Sequence, residues 1–270
     1  MGKRRTIESI LVAAIVVGLT TVGLGQSGQA QSEGNAPIQP LRPGATEHKI
    51  FAELMAHNSV RKAELAGYTA VRTYSVIDLK GTVHAEETGR MEFRAPDKKS
   101  FVVTSEVGSP MVRRLGLNAL IAGEIQAASS KGQQDSSITS ENYTLQLLGE
   151  QQLGPYHCYV AQAIPKRKDK YLFEGKVWID DQDYAVVRIE GQPAKHLSFW
   201  IEYAEVVRQY QKIGQFWLPQ KDETMLHVRL YGVKVLNVEH RDYVVRPAGY
   251  SGTSVATQKA PFAGMYAGSE

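Results

Sequence analysis

Residues 171–245 give the strongest indication of the fold. They contain two aromatic-rich segments predicted as turns, Phe173-Glu-Gly-Lys-Val-Trp-Ile-Asp-Asp181 and Tyr210-Gln-Lys-Ile-Gly-Gln-Phe-Trp-Leu-Pro219. Apolar and polar residues alternate between short turn signals, which predicts antiparallel strands over residues 172–179, 184–190, 197–206, 217–228 and 231–243. A meander of long amphipathic strands curls into a concave sheet, and such a sheet can hold a ligand. The segment contains no catalytic triad, metal-ligand set or phosphate loop, so the pattern favours a binding protein over an enzyme.

The segment upstream combines further strands with two helices. The same alternation predicts strands over residues 68–79, 83–94, 100–107, 143–148 and 157–164. Residues 46–66 predict a helix with Thr46 as its N-cap, Ile50 and Leu54 on one stripe, and Gly67 as its stop.

A second helix is predicted over residues 111–128. Ser109 can cap it and Pro110 suits its first turn. Its apolar row is expected to be Val112, Leu115, Ala119 and Ile125. The polar residues 129–141 predict a loop.

The first 30 residues predict a cleavable signal peptide. Basic residues at Lys3-Arg4-Arg5 precede an apolar run over residues 10–24, and Gly28-Gln29-Ala30 offers small residues at a cleavage site. The run is shorter than the roughly 20 apolar residues of a spanning helix, although an uncleaved anchor remains the alternative. We therefore expect a periplasmic protein, exported by either the general or the twin-arginine route.

The composition after residue 30 predicts three segments and gives no support to a nucleic-acid partner. Residues 31–45, with three prolines, predict a flexible linker, residues 46–245 one β-domain, and residues 246–270 a disordered tail. The signal segment holds three Lys or Arg and one Glu, so its removal lowers the net charge from +3 to +1. This charge gives no support to nucleic-acid binding. The single cysteine, Cys158, excludes an internal disulfide and is expected to be a small buried hydrophobe.

Other polar constellations favour ordinary structural roles. The histidines show no metal-ligand spacing, and no Gly-x-Ser-x-Gly elbow is present, so no metal, cofactor or catalytic residue is predicted. Asp180, Asp181 and Asp183 share one turn, which is expected to be solvated rather than a calcium site. Residues 166–170 form a basic loop, either a solvated hairpin tip or a contact with anionic lipid headgroups.

Four segments carry a family resemblance: Tyr68-Thr-Ala-Val-Arg-Thr-Tyr74, Gly175-Lys-Val-Trp-Ile-Asp180, Val187-Arg-Ile-Glu-Gly191 and Gly214-Gln-Phe-Trp-Leu-Pro219. With the order of elements, they resemble the outer-membrane lipoprotein-sorting and lipid-carrier superfamily, the LolA/LolB/RseB-like proteins. The resemblance spans roughly residues 46–245. It implies a mainly β (α+β) fold, an incomplete antiparallel β-barrel or strongly curved sheet with helices closing its open mouth around an apolar cavity. The implied role is non-covalent carriage or sensing of lipid or lipidated protein.

An acyl-chain cavity would need apolar side chains on the inner face of the sheet. The candidates are Phe93, Phe101, Val103, Val177, Ile179, Val187, Ile189, Ile201, Tyr203, Leu226 and Val228. The same residues would form a filled core in a closed sandwich, and the sequence does not separate these cases. The expected partners are lipid acyl chains or a lipidated protein. The alternative function is an interaction or sensor module of the cell envelope that binds a protein, such as a membrane-protein partner, without carrying lipid.

Overall fold

The computed structural model describes residues 36–169, 171–197 and 199–249, and the backbone of residues 256–257. The strands are β1 Leu65–Asp78, β2 Val83–Arg94, β3 Lys98–Gly108, β4 Tyr143–Leu153, β5 Tyr156–Pro165, β6 Phe173–Asp180, β7 Val186–Pro193, β8 Ile201–Ile213, β9 Phe216–Val228, β10 Gly232–Pro247 and β11 Ala256–Thr257. The helices are α1 Glu47–Glu64, α2 Pro110–Val112, α3 Asn118–Ala127 and α4 Ser130–Ser136, and a π-helical turn, Arg113–Leu117, joins α2 to α3.

The strands form one antiparallel sheet in the order β3-β2-β1-β10-β9-β8-β7-β6-β5-β4, and β11 pairs with β10. The pairing of β1 with β10 runs from Leu65↔Pro247 to Asp78↔Lys234 and joins the two ends of the domain. The other strands pair with their neighbours in sequence. Because β3 and β4 end this path among the described residues, the sheet is open rather than closed into a barrel. The predicted fold class, a curved antiparallel sheet with helices, is therefore confirmed.

Helices cover two separate regions of one face of the sheet, called here the helical face. Ile50 and Leu54 of α1 pack with buried residues of β4 to β7, including Val177. Leu117, Leu120 and Ile121 pack on the other region, against Tyr74, Ala85, Leu236 and Val238 of β1, β2 and β10. Within the described part of the chain, no helix covers the sheet between these regions.

The ends of α1 follow from local chemistry. Thr46 Oγ1 accepts a hydrogen bond from Lys49 N at 3.3 Å, which confirms the predicted N-cap. The helix ends at Glu64 and the chain enters β1 directly at Leu65, so Gly67 lies in a strand and does not stop the helix as predicted. A side chain on Gly67 would meet Phe93 O at 2.4 Å, which explains a glycine at that point of the β1–β2 pair.

The second helical region differs from its prediction in two ways. The π turn Arg113–Leu117 shifts the helical phase, so the fully buried side chains are Leu117, Leu120 and Ile121. Of the predicted row, Val112 and Ile125 pack against them partly buried. The predicted loop over residues 129–141 is wrong in its first half. Residues 130–136 form α4, capped by Ser129 Oγ, which accepts from Gly132 N at 3.1 Å.

The strand predictions identify every long strand but misplace several ends. The first predicted aromatic-rich turn is wrong, because Phe173–Asp180 is strand throughout. The second contains a true turn, at Gly214-Gln215 between β8 and β9. β8 begins at Ile201 and extends to Ile213, later at both ends than the predicted 197–206.

The described part of the predicted linker is attached to the sheet. Gln39 and Glu150 exchange backbone hydrogen bonds of 2.7 and 2.8 Å. Arg42 Nη2 lies 2.8 Å from the Asp181 carboxylate, and Arg42 Nε lies 3.1 Å from that of Glu150. These contacts contradict a flexible segment over residues 36–45. The prediction for residues 31–35 and the signal peptide lie outside the described residues.

The tail prediction is wrong at its start, because β10 continues through Pro247 and Ala256–Thr257 pair with Val244 and Val245. The remaining tail residues lie outside the described part of the chain. No helix in the described residues is both long and apolar enough to cross a membrane. Cys158 is a buried free thiol, as expected, and burial raises its pKa to about 12.

Candidate ligand-binding cleft

A cleft of about 770 Å³ opens on the helical face, between the two regions that the helices cover. Its floor is the sheet, with residues from β1, β2, β7, β8 and β9. One rim is the second half of α1, with Met55, Asn58 and Lys62, and the other is α4 and the chain after it, with Gln133 and Ile138. The apolar side chains that line it are Met55, Leu65, Phe93, Ile138, Phe173, Val186, Ile189, Val206, Phe216 and Leu218.

Aromatic packing shapes one end of the cleft. The Tyr68 ring lies 5.4 Å from the ring centroids of both Phe93 and Tyr243. Phe216 and Leu218 of β9 join the same buried cluster. Tyr68, Phe93 and Phe216 each present a surface to the cleft as well. This end is therefore an apolar wall held by neighbouring strands.

The charged side chains that line the cleft are Arg61 and Lys62 on the α1 rim and Lys99 and Arg208 on the sheet. Arg208 Nε is hydrogen-bonded to Asp222, its cross-strand partner in β9. Burial raises the pKa of Asp222, but the Arg208 charge and the His240 hydrogen bond outweigh it and hold this pKa at about 2. Burial, followed by the Arg72 charge, lowers the pKa of His240 to about 4. Asp222 is thus ionised and His240 neutral at pH 7.

Two of the predicted cavity residues, Phe93 and Ile189, line the cleft. Val177 and Ile179 lie beneath α1 in the packed cluster that also contains Ile189. Ile201, Leu226 and Val228 form a separate cluster at the β8–β9 end of the sheet, and Tyr203 packs edge-on against His227.

The remaining predicted residues lie away from the cleft. Phe101 packs edge-on against Tyr74, and Val103 is 39% exposed on β3. Val187 lies with Cys158, Val160 and Trp178 on the other face of the sheet. A β-bulge explains this, because Trp178 pairs with Arg188 and Ile179 with Val186, leaving Val187 as the extra residue. The assumption that Val187 and Ile189 share a face is therefore wrong.

The predicted set of cleft residues did not include Lys99, Arg208, Tyr210 or the α1 rim. The sequence did contain an indication of the charged residues beneath the cleft. Arg72 alternates with Ala70 and Tyr74 along β1, and a charged residue in an otherwise apolar row predicts a buried ion pair. The rim depends on where α1 crosses the sheet, which periodicity does not encode.

The three aspartates of the 180–183 turn have separate partners. Asp180 Oδ2 accepts from the backbone N of Gln182 and Asp183, at 3.2 and 2.7 Å. Asp181 pairs with Arg42, and Asp183 accepts from Trp217 Nε1 at 2.8 Å and pairs with Lys212. Asp180 is buried and the side chain of Asp181 is 7% exposed, so the expectation of a solvated turn is wrong. The carboxylates lock the turn to its neighbours instead.

The basic loop contacts the α4 region. Lys166 Nζ donates to Ser140 O at 2.6 Å, and Arg167 Nη2 donates to Asp135 O at 3.0 Å. These bonds connect the β5–β6 loop with the segment that follows α4. Contact of this loop with lipid headgroups stays a prediction.

Compared by sequence, the chain matches no family model and no curated protein. Solved structures do match it. One is described as an outer membrane lipoprotein-sorting protein domain from Vibrio parahaemolyticus, 14% identical over 76% of this chain and 95% of that chain, with a TM-score of 0.46. Another is a LolA superfamily protein from Nitrosomonas europaea, 10% identical over 75% and 94%, with a TM-score of 0.37. A third is the Mycobacterium tuberculosis lipoprotein LppX, 14% identical over 73% and 96%, with a TM-score of 0.30. The superfamily that the sequence resembles is thus found among the structural matches. At these identities and scores the likeness is one of fold and does not define a function.

Proposed function

We propose that the chain is a non-catalytic binding protein of the cell envelope that carries or senses lipid or lipidated protein by taking an acyl chain into the cleft. The observation that carries this proposal is the apolar cleft of about 770 Å³ between the two helix-covered regions. Ligand sites have volumes of roughly 300–1,000 Å³, so the cleft has a suitable size. Each methylene buried there contributes about 0.8 kcal/mol, so an apolar lining is enough to hold a chain.

Three serine hydroxyls at the rim of the cleft have structural partners, which supports binding rather than hydrolysis. Ser59 Oγ donates to Met55 O at 3.0 Å, and Ser136 Oγ donates to Gly132 O at 2.8 Å. Ser137 likewise bonds to the backbone carbonyl of Gln133. A nucleophilic serine would instead donate to a general base. These three hydroxyls complete helical turns at the rim.

Two measurements test the proposal. Mass spectrometry of organic extracts from natively purified protein should detect a bound lipid in stoichiometric amount. A fluorescent fatty acid should bind to delipidated protein and be displaced by unlabelled fatty acid. Protein that carries no lipid and binds no acyl probe would overturn the proposal.

A second candidate function, binding of a protein partner without lipid, is favoured by the β3 edge. The outer side of β3 pairs with no described strand, and Val102 and Val107 on it are 64% and 53% exposed. An exposed strand edge is a template for adding an extended peptide. A double substitution, Val102→Lys with Val107→Lys, should abolish a cross-linked envelope complex and leave fatty acid binding unchanged. A complex that survives this change would exclude β3 as its contact.

A further inference from the structure

Six charged or titratable side chains form a continuous row under the cleft, called here the ionic row: Lys99, Glu124, Arg72, His240, Asp222 and Arg208. Its first half centres on Glu124 of α3. The Glu124 carboxylate accepts from Arg72 Nη1 and from Lys99 Nζ. Tyr74 Oη donates to the same carboxylate at 2.8 Å. Helix α3 thereby holds cations from β1 and β3.

The second half of the ionic row follows the register of the sheet. Arg72 and His240 are cross-strand partners in β1 and β10. His240 Nε2 lies 3.3 Å from Asp222 Oδ2 on β9, and Asp222 pairs in turn with Arg208 on β8. The row thus crosses the sheet from β3 to β8.

Both ends of the ionic row open onto the cleft, because Lys99 and Arg208 line it whereas Arg72 is 0% exposed. Three cations stand against two carboxylates in the row, and His240 is neutral, so the row has a net charge of +1. In addition, Nε and Nη2 of Arg72 are buried without a hydrogen-bond partner among the described residues. Buried charges are normally paired. The row therefore has one positive charge in excess, and its end cations, which pair with Glu124 and Asp222, line the cleft.

We propose that Lys99 and Arg208 bind the anionic head group of an amphiphile whose chain lies in the cleft, so that the ligand is an anionic amphiphile with a carboxylate or a phosphate. This inference rests on the proposed function and specifies its ligand class. The apolar lining contacts the chain, and the two cations at the ends of the ionic row select the head. Arg72 acts as a positioning residue, since it is 0% exposed and shares the Glu124 carboxylate with Lys99.

The test compares ligands that differ only in their head group. Palmitate, palmityl phosphate and methyl palmitate compete with a fluorescent fatty acid on the delipidated full chain. We expect the better of the two anions to bind at least about tenfold more tightly than the ester, because hydrogen bonds to charged groups are the stronger ones. The relative affinities of palmitate and palmityl phosphate identify the head group.

Substitutions test whether Lys99 and Arg208 cause the preference for anions over the ester. Lys99→Gln and Arg208→Gln should each reduce the ratio of anion to ester affinity severalfold and leave ester affinity unchanged. Lys80→Gln is the control, because Lys80 is an exposed lysine in the turn between β1 and β2 and lies outside both the cleft lining and the ionic row. Its ratio should equal that of the parent protein.

The outcomes separate this inference from the proposed function. Equal binding of ester and both anions by the parent protein overturns the inference and leaves acyl-chain binding intact. A preference for anions that survives both substitutions, or is lost equally in Lys80→Gln, overturns the assignment to Lys99 and Arg208. Absence of binding by all three compounds overturns the proposed function itself. The comparison on the parent protein holds even if a variant fails to fold.

Discussion

Val177 and Val186 lie on neighbouring strands of the helical face but in different surroundings. Val177 is 0% exposed and packs beneath α1, whereas Val186 is half-buried and lines the cleft. We expect Val177→Phe to lower the free energy of unfolding by about 1–3 kcal/mol through overpacking. Val186→Phe should cost less and should block uptake of a fluorescent fatty acid.

Chemical denaturation run beside the fatty acid assay compares the two variants directly. Each is the matched control of the other, because the same atoms are added in both. Equal destabilisation by the two substitutions, with fatty acid uptake unchanged in Val186→Phe, would contradict a cleft that is open at Val186.

His240 is a buried imidazole that should make stability depend on pH. It faces Arg72, Glu124, Asp222 and Tyr243, and burial followed by the Arg72 charge lowers its pKa from 6.5 to about 4. The unfolded chain therefore takes up a proton near pH 6.5 that the folded protein does not bind until about pH 4. Stability should fall as the pH falls through this window, by up to about 3 kcal/mol.

Urea titrations between pH 7 and pH 4 measure this dependence. The variant His240→Gln removes the titrating group and should flatten the profile over the same window. A variant profile as steep as that of the parent protein would show that other groups cause the pH dependence.

At the scale of elements, β6 and β7 approach closely because glycines face each other. Gly175 pairs with Gly191, and a Cβ on Gly175 would lie 2.1 Å from Glu190 O and 2.3 Å from Gly191 Cα. Backbone atoms cannot move away as a flexible side chain can. We expect Gly175→Ala to lower the free energy of unfolding by about 1–3 kcal/mol, measured by urea denaturation.

The adjacent Lys176 is the control for this prediction. It lies half-buried on the same strand, with its side chain directed to the opposite face by the period of two. Lys176→Ala should change the free energy of unfolding by no more than about 0.5 kcal/mol. Wild-type stability in Gly175→Ala would mean that the two strands can separate without cost.

The helices show which features a local sequence pattern predicts and which depend on tertiary packing. Thr46 caps α1 where its side-chain chemistry indicates, because an N-cap is a local contact. The predicted row of the second helix did not include the fully buried Leu117, Leu120 and Ile121, because one π turn rotates every later residue. A regular period of 3.6 cannot reveal such a shift.

At the scale of the whole molecule, the pairing of β1 with β10 closes the domain, and the chain beyond residue 245 takes part in it. Leu65 pairs with Pro247, and Arg246 Nη2 lies 2.9 Å from the Glu92 carboxylate. Deletion of residues 250–270 removes only the short pairing of β11 with Val244 and Val245 among the described contacts. We expect this deletion to lower Tm by less than about 4 °C, since about 1 kcal/mol corresponds to 2–4 °C in a domain of this size.

Deletion of residues 246–270 should lower Tm further, because it also removes the last residues of β10. Differential scanning calorimetry of the two truncated proteins beside the full chain measures both effects. Identical Tm values for the two truncations would show that Arg246 and Pro247 do not stabilise the sheet.

The strands, the cap of α1 and the buried state of Cys158 could be predicted, because alternation, capping and burial of a lone apolar residue depend on neighbours along the chain. The set of residues that share the cleft depends instead on how distant segments pack. The bulge at Val187 moves this predicted residue to the opposite face of the sheet. Helix α1 covers Val177, whereas Val186 and Ile189 line the cleft. The ionic row likewise joins residues far apart in sequence, from Arg72 to His240. Register, bulges and helix placement result from packing between distant segments, so no local pattern specifies them.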